Sequence, residues 1–434
     1  MSNVESHLCF QGCKGDPSIL LEADTYISIV SLFSSEKEQS LWRSEMATRV
    51  RVEASAFKLL ADLCNGSAKG GRAIAGAQDF QQCLDRALEI VIGAVSQEIS
   101  FALPTGNETE DTENASLDSK GESGEDSRSG EGVNQDLMQN GKEQTSIEIE
   151  NLELVRSSFS FITAMLQVPK VRGALLNQKE LISAVKLLAS LHNYCDLQLE
   201  AVKVISQLAP YSALNGSLSP DLACEILLSA LATPYERNRP ITMSIHVHAA
   251  EGIQFVFASL NDEKKSAILR EAVALYANVL RSYTLSKNGV SNNEGTNGGE
   301  VAFQMATIMT MAIGATSLEQ YFDSQALSSL AATVQWRCDP KTYISQDELC
   351  FWDGTNTLCL QILSHLLWRE NGRLLHAGVR VNDLKENVVM VARPGKAPRK
   401  AIDFPSALMT IIKNGESAAK LAAQRIVRCL NIET

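Results

Sequence analysis

Few residues in this chain have both the type and the spacing to do chemistry. His246 and His248 form a His-x-His pair that could offer two metal ligands from an extended segment. No nearby Cys or carboxylate pair completes a ligand set, so the pair reads as two histidines close to a helix start. His7, Cys9 and Cys13 could in principle hold zinc, or a cysteine there could be acylated. The plain reading is a flexible terminus with incidental thiols. Gly66, Gly70, Gly71 and Gly76 lack the preceding strand that a phosphate-cradling loop needs, and read as turns between helices. There is no Gly-x-Ser-x-Gly elbow and no His-Glu-x-x-His. The sequence thus nominates no catalytic residue, no cofactor and no metal site, and a non-enzymatic protein is expected. Ser119 and Ser123 carry Glu122 and Asp126 three residues later, the spacing that acid-directed kinases prefer. Phosphate there would deepen a local negative charge and could compete for a basic surface.

That local charge dominates the chain. The formal net charge is -12 over 434 residues. From Glu108 to Glu150, thirteen acidic residues stand against Lys120, Arg128 and Lys142, so this segment alone carries -10. The remainder is near neutral and offers no broad basic field for nucleic acid. A modest C-terminal patch holds Arg393, Lys396, Arg399, Lys400, Lys413, Lys420, Arg425 and Arg428, and reads as a solvated face. The ten cysteines are spread singly, mostly inside apolar helical patterns, as reduced thiols of a cytosolic or nuclear protein would be. The N-terminus has no basic region followed by an apolar run, and no stretch approaches 18 uninterrupted apolar residues, so neither a signal peptide nor a membrane span is expected.

Hydrophobic side chains make up 45% of the chain and aromatics only 6%. Ala and Leu dominate, and Gly and Pro fall between apolar runs, which favours stacked helices over sheets. In Glu53 to Leu63, Ala56, Leu59, Leu60 and Leu63 share one helical face. Strand-like alternation is limited to Val388–Val391, too short to found a sheet. Residues 100–147 and 286–300 are polar, Gly- and Ser-rich, and too poor in large apolar side chains to offset chain entropy. The expected organisation is a flexible 1–16, helical repeats over 17–99, an acidic disordered insert at 100–147, and further repeats over 148–434 with a flexible loop at 286–300.

Self-similarity gives these helices a family likeness. Glu53–Asn65 resembles the third helix of an armadillo repeat, and Arg72-Ala-Ile74 with Phe80 resembles the start of the next repeat. The pattern returns at Val155–Met165, Leu199–Ala209, Ala249–Leu260, Ala302–Met311, Leu358–Leu366 and Ser417–Leu430. The chain is therefore identified as resembling the armadillo-type family, with a HEAT-type or mixed solenoid as the main alternative. The resemblance implies an all-α, right-handed superhelix of about six or seven degenerate repeats, each burying its apolar face on its neighbours. Asp339–Asp347 and Ala392–Pro405 are candidate inserts that stretch the period.

In armadillo adaptors that carry extended peptides, the third helices present a ladder of Trp and Asn. The aligned position here holds Asp62, Ala164, Gln207, Ser259, Thr310, His365 and Cys429, and none of Trp42, Trp336, Trp352 and Trp368 falls on the ladder. Generic import-receptor binding is therefore not expected, but protein binding through this surface is. Asp62, Gln207, Ser259, Thr310 and His365 are its candidate contacts. The run His248–Lys265 also resembles a segment of the UCS-domain myosin chaperones. That likeness implies a cytoplasmic co-chaperone or assembly factor with a myosin motor or heat-shock chaperone as partner. A transport or signalling adaptor in the nucleus is the competing class.

Overall fold

A computed structural model of the chain describes residues 25–33, 46–102, 152–284, 298–313, 318, 321–339, 344–369 and 384–432, except positions 67, 215, 237, 238, 394 and 395. His7, Cys9, Cys13, Ser119, Ser123 and nearly all of both expected inserts lie outside these residues. Apart from one hairpin, the regular elements among them are helices, so the fold is all-α. The chain divides into two compact units, Met1–Ala164 and Met165–Thr434.

In the first unit, helices α1 (Thr25–Ser31), α2 (Met46–Gly66), α3 (Ala68–Ala75), α4 (Phe80–Ala102) and α5 (residues 152–165) surround a small aromatic core. On α2, Ala56, Phe57, Leu60, Leu63 and Cys64 are buried and Leu59 is half-buried, while Arg51, Lys58 and Asp62 stay in solvent, so three of the four residues on the face read from sequence are core residues. Phe57 stacks on Phe33 at 4.5 Å and meets Phe161 at 5.5 Å between ring centroids. Glu53 ties α2 to α4 by accepting from Arg49 at 3.0 Å and from Arg86 at 3.1 Å. Burial pushes the Cys64 thiol up to about 12 and the Cys83 thiol higher still, so both stay protonated and unreactive.

The second unit begins with the short α6 (Pro169–Leu175) and continues as two rows of helices. One row is α7 (Lys179–Ala189), α9 (Pro220–Leu231), α11 (Asp262–Thr284), α13 (Ser324–Cys338) and α15 (Phe404–Asn414). The other is α8 (Cys195–Leu208), α10 (Pro240–Val256), α12 (Gly298–Ala312), α14 (Gln346–Arg369) and α16 (Ser417–Cys429). Each helix packs on the next member of its own row and on a partner in the other row. The even-numbered row consists of the segments singled out above as third-helix copies.

Local chemistry sets the helix starts. Ser219 Oγ accepts from Leu222 N at 3.1 Å ahead of Pro220, and Asp323 and Asp403 cap α13 and α15 in the same way, at 2.8 and 2.7 Å. Close packing sets the rows. A Cβ on Gly252 would lie 2.8 Å from Leu227 Cδ1 and 3.0 Å from Ser206 Cα, so only glycine lets α8, α9 and α10 meet there. Gly298 and Gly299 belong to α12, and the three residues 100–102 belong to α4, so helices reach into both segments that composition had assigned to inserts. The reason at α12 is contact. A Cβ on Gly299 would sit 2.9 Å from Trp352 Nε1, and the Gly299 N–H donates to the buried Glu348 carboxylate at 3.2 Å.

The Ala392–Pro405 stretch, a candidate insert, holds a strand. β1 (Met390–Arg393) pairs antiparallel with β2 (Lys396–Lys400), Met390 opposite Lys400 and Val391 opposite Arg399. A lone hairpin is marginal, and α13 supports this one. Gln335 Nε2 donates to Asn387 O at 2.8 Å and to Ile402 O at 3.2 Å, while Asp339 takes a two-pronged ion pair from Arg399. Arg399, assigned above to a solvated basic face, is instead neutralised inside the fold.

Candidate functional site

Helical geometry turns one side of the even-numbered row outward. On α8, Ala201, Val202, Ile205 and Leu208 are buried and Gln207 is exposed. On α10, Ser244, His248, Glu251 and Phe255 follow one another at alternating steps of four and three, forming a single outward stripe. Across the contact to α12, Glu300, Gln304 and Thr307 continue the surface.

Where α8, α10 and α12 lie side by side, an open depression of about 580 Å³ is lined by Arg172, Gln207, Tyr211, Gln254, Phe255 and Gln304, with Glu251 also in its wall. Gln254 Nε2 donates to Gln304 Oε1 at 2.6 Å, which fixes the two amides across neighbouring helices. The Arg172 guanidinium lies 3.8 Å above the Tyr211 ring, a cation–π stack that holds both side chains flat against the wall. Phe255 is 62% exposed, which is unusual for a phenylalanine in the middle of a packed helical row. His248 Nδ1 lies 2.9 Å from Glu251 Oε2. Partial burial raises the Glu300 carboxyl above its ordinary range, and Glu251 adds to the rise while His248 opposes it.

His246 and His248 do not share a site. Two residues apart on a helix, they point to nearly opposite sides. His246 is fully buried, its Nε2 donating to Thr233 O at 2.8 Å, while His248 faces the outward stripe. Among the described residues no group of three His, Cys, Asp or Glu is placed to hold a metal ion. None of their helices is long and apolar enough to cross a membrane.

Burial lowers the His246 pKa from the ordinary imidazole value of 6.5 to about 4. The unfolded chain therefore takes up this proton first, and stability should fall as pH drops from about 6.5 towards 4, then level off. The loss is on the order of 3 kcal/mol. Denaturant titrations at pH 7 and pH 4.5 check this against H246Q. If the variant shows the same loss as the parent, the assignment to His246 is wrong.

Of the sequence-derived candidates, Asp62 lies in the first unit and Gln207, Ser259, Thr310 and His365 lie in the second. Asp62 is exposed on α2 in the first unit. Gln207 lines the depression directly. Ser259 lies beyond the end of α10 in a 3₁₀ turn, where its Oγ donates to Val256 O at 2.7 Å. Thr310 is half-buried on α12 and its hydroxyl is satisfied by Ala306 O at 2.8 Å. His365 is half-buried on α14. Reasoning from sequence missed Gln254, Gln304, Phe255, Tyr211 and Arg172. The recurrence of Gln at 207, 254 and 304, close to one repeat apart, is the signal that could have found the amides.

No protein-family model matches the chain, and no curated protein matches it either. Among solved structures, it is similar to one described as the crystal structure of Uso1-2, at 14% identity and a TM-score of 0.43. That superposition covers 97% of this chain and 62% of the other, so the chain spans less than two thirds of that protein's length. The likeness is too remote to bring a function with it.

Proposed function

We propose that the chain is an armadillo-type helical solenoid whose even-numbered row is a binding surface for an extended segment of another protein. The depression beside Phe255 is the observation that carries this reading. An exposed aromatic ring flanked by side-chain amides offers an apolar anchor and hydrogen bonds to a peptide backbone, the combination that grooves for extended segments need. The two rows support the solenoid half of the proposal: each helix pair leaves an apolar face that only its neighbours cover. The proposed chemistry is binding without turnover.

Within this class, the likeness of His248–Lys265 to the UCS-domain chaperones nominates a myosin motor domain or a heat-shock chaperone as the partner. Its residues form the second half of α10, the turn Phe257–Ser259 and the start of α11. Chemical crosslinking of the full chain in cell extract, followed by mass spectrometry, tests both levels. Crosslinks should concentrate on α8, α10 and α12 and should be lost with Phe255→Asp, with the far-UV circular dichroism of that variant unchanged. Crosslinks that survive the substitution would move the binding surface elsewhere. Recovery of signalling or import proteins with no motor or chaperone would retire the UCS reading and leave the groove.

A further inference from the structure

Glu348 on α14 is 3% exposed, yet among the described residues no lysine, arginine or histidine pairs with it. A carboxylate so placed is costly unless hydrogen bonds and dipoles replace the water it has lost. Its donors come from both ends of one chain connection. Tyr283, on the last turn of α11, donates its hydroxyl to Oε1. The Gly299 N–H, on the first turn of α12, donates to the same oxygen at 3.2 Å. Ser345 Oγ adds a bond to Oε2 at 3.4 Å. The carboxylate thus stands at the positive end of a helix of 15 residues. Two glycines give it room. A Cβ on Gly298 would lie 2.5 Å from the Tyr283 hydroxyl oxygen, and one on Gly299 would meet the Trp352 indole.

We propose that Glu348 is a staple that fixes the start of α12 from α14, so that the place of α12 in its row does not depend on residues 285–297. A helix start is ordinarily capped by the residue just before it. Here an acceptor for the first-turn N–H comes from a residue 49 positions later, on another helix. The end of α11 is tied to that same oxygen, so one atom holds both sides of the connection. Packing does the rest, because α12 lies against α10 and α14 in its own row and against α11 across it. Lengthening a connection whose ends are already held adds only the slowly growing entropy of loop closure. Residues 285–297 are therefore free to change in length and sequence, while the carboxylate is not. In a tight helical hairpin the turn sets the geometry; here a buried side chain sets it instead.

The test compares amide exchange in four versions of the full chain: the parent, an insertion of about 20 Gly and Ser residues between Asn292 and Asn293, E348Q and Y283F. Exchange is read by mass spectrometry over Gly299–Phe303, with α8 as the internal reference. The insertion should leave exchange there within about twofold of the parent and the thermal midpoint within about 3 °C. E348Q should speed exchange over the same residues by about tenfold or more, since an amide accepts more weakly and adds a donor among donors. Y283F removes one donor and leaves Gly299 its acceptor, so its exchange should fall between those two. Parent-like exchange in E348Q overturns the inference. An insertion that speeds exchange as much as E348Q does also overturns it, since the connection would then set the helix start. Should E348Q not fold, Y283F decides: exchange faster than in the insertion supports the staple, and exchange no faster overturns it.

Discussion

Asp339→Ala should destabilise the hairpin region by about 3–5 kcal/mol, the cost of stranding one member of a buried ion pair. Asp339 sits at the end of α13 with its side chain 1% exposed and accepts from both terminal nitrogens of Arg399, whose side chain is 16% exposed. It also accepts from Ile402 N at 3.2 Å, so alanine removes support from the backbone that leaves β2. Amide exchange at Ala401, which bonds Val389 O at 2.8 Å, is the sensitive readout. The discriminating control is D339A/R399M. With both charges gone, most of the loss should be recovered, because the cost lies in the uncompensated guanidinium more than in the missing attraction. If the double variant is as unstable as the single one, packing of Asp339 and not its charge is what matters.

Trp352→Ala should cost a similar amount, about 3–5 kcal/mol, through the cavity that it opens. Trp352 is fully buried, edge-on to Trp336 at 4.7 Å and to Tyr283 at 5.0 Å between ring centroids. Tyr283 in turn donates to Glu348, which also accepts from the Gly299 backbone. Loss of the indole therefore loosens three helices, α11, α12 and α14, around one buried carboxylate. Phe255→Ala is the matched comparison, since removing an exposed ring should change stability by no more than about 0.5 kcal/mol. Thermal unfolding of the two variants side by side checks the contrast. Equal shifts would mean that the tryptophan pair is not the local core.

The helical rows were legible in the sequence because a half-buried helix writes its period into the choice of side chains. On α2, Ala56, Leu60 and Leu63 are buried where the pattern placed them, and Leu59 is half-buried. The binding position was less legible, and the reason lies at the helix ends. Alignment by similarity matched Gln207 with Ser259. In the fold, α8 ends at Leu208 and α10 at Val256, each followed by a 3₁₀ turn, so Phe255 is the residue that stands where Gln207 does. The mismatch is one helical turn, a shift that preserves the apolar pattern and so leaves no trace in it. His246 and His248 show a different limit: once they lie on a helix, adjacency in sequence becomes opposition in space. The hairpin was missed for a third reason. Val388–Val391 is too short to announce a sheet, and what stabilises it, Gln335 and Asp339, lies about 60 residues earlier in the chain.

That separation also bears on the order in which the second unit can be assembled. Its rows join helices that are consecutive or next but one, so most closures span short loops and can form as the chain leaves the ribosome. The Asp339–Arg399 pair cannot. Until Arg399 emerges, the carboxylate at the end of α13 lacks its two-pronged ion pair. Docking of the hairpin against α13 is thus coupled to the arrival of this arginine. A nascent chain stalled between Asp339 and Arg399 would keep this end of the array open while α8, α10 and α12 were already docked.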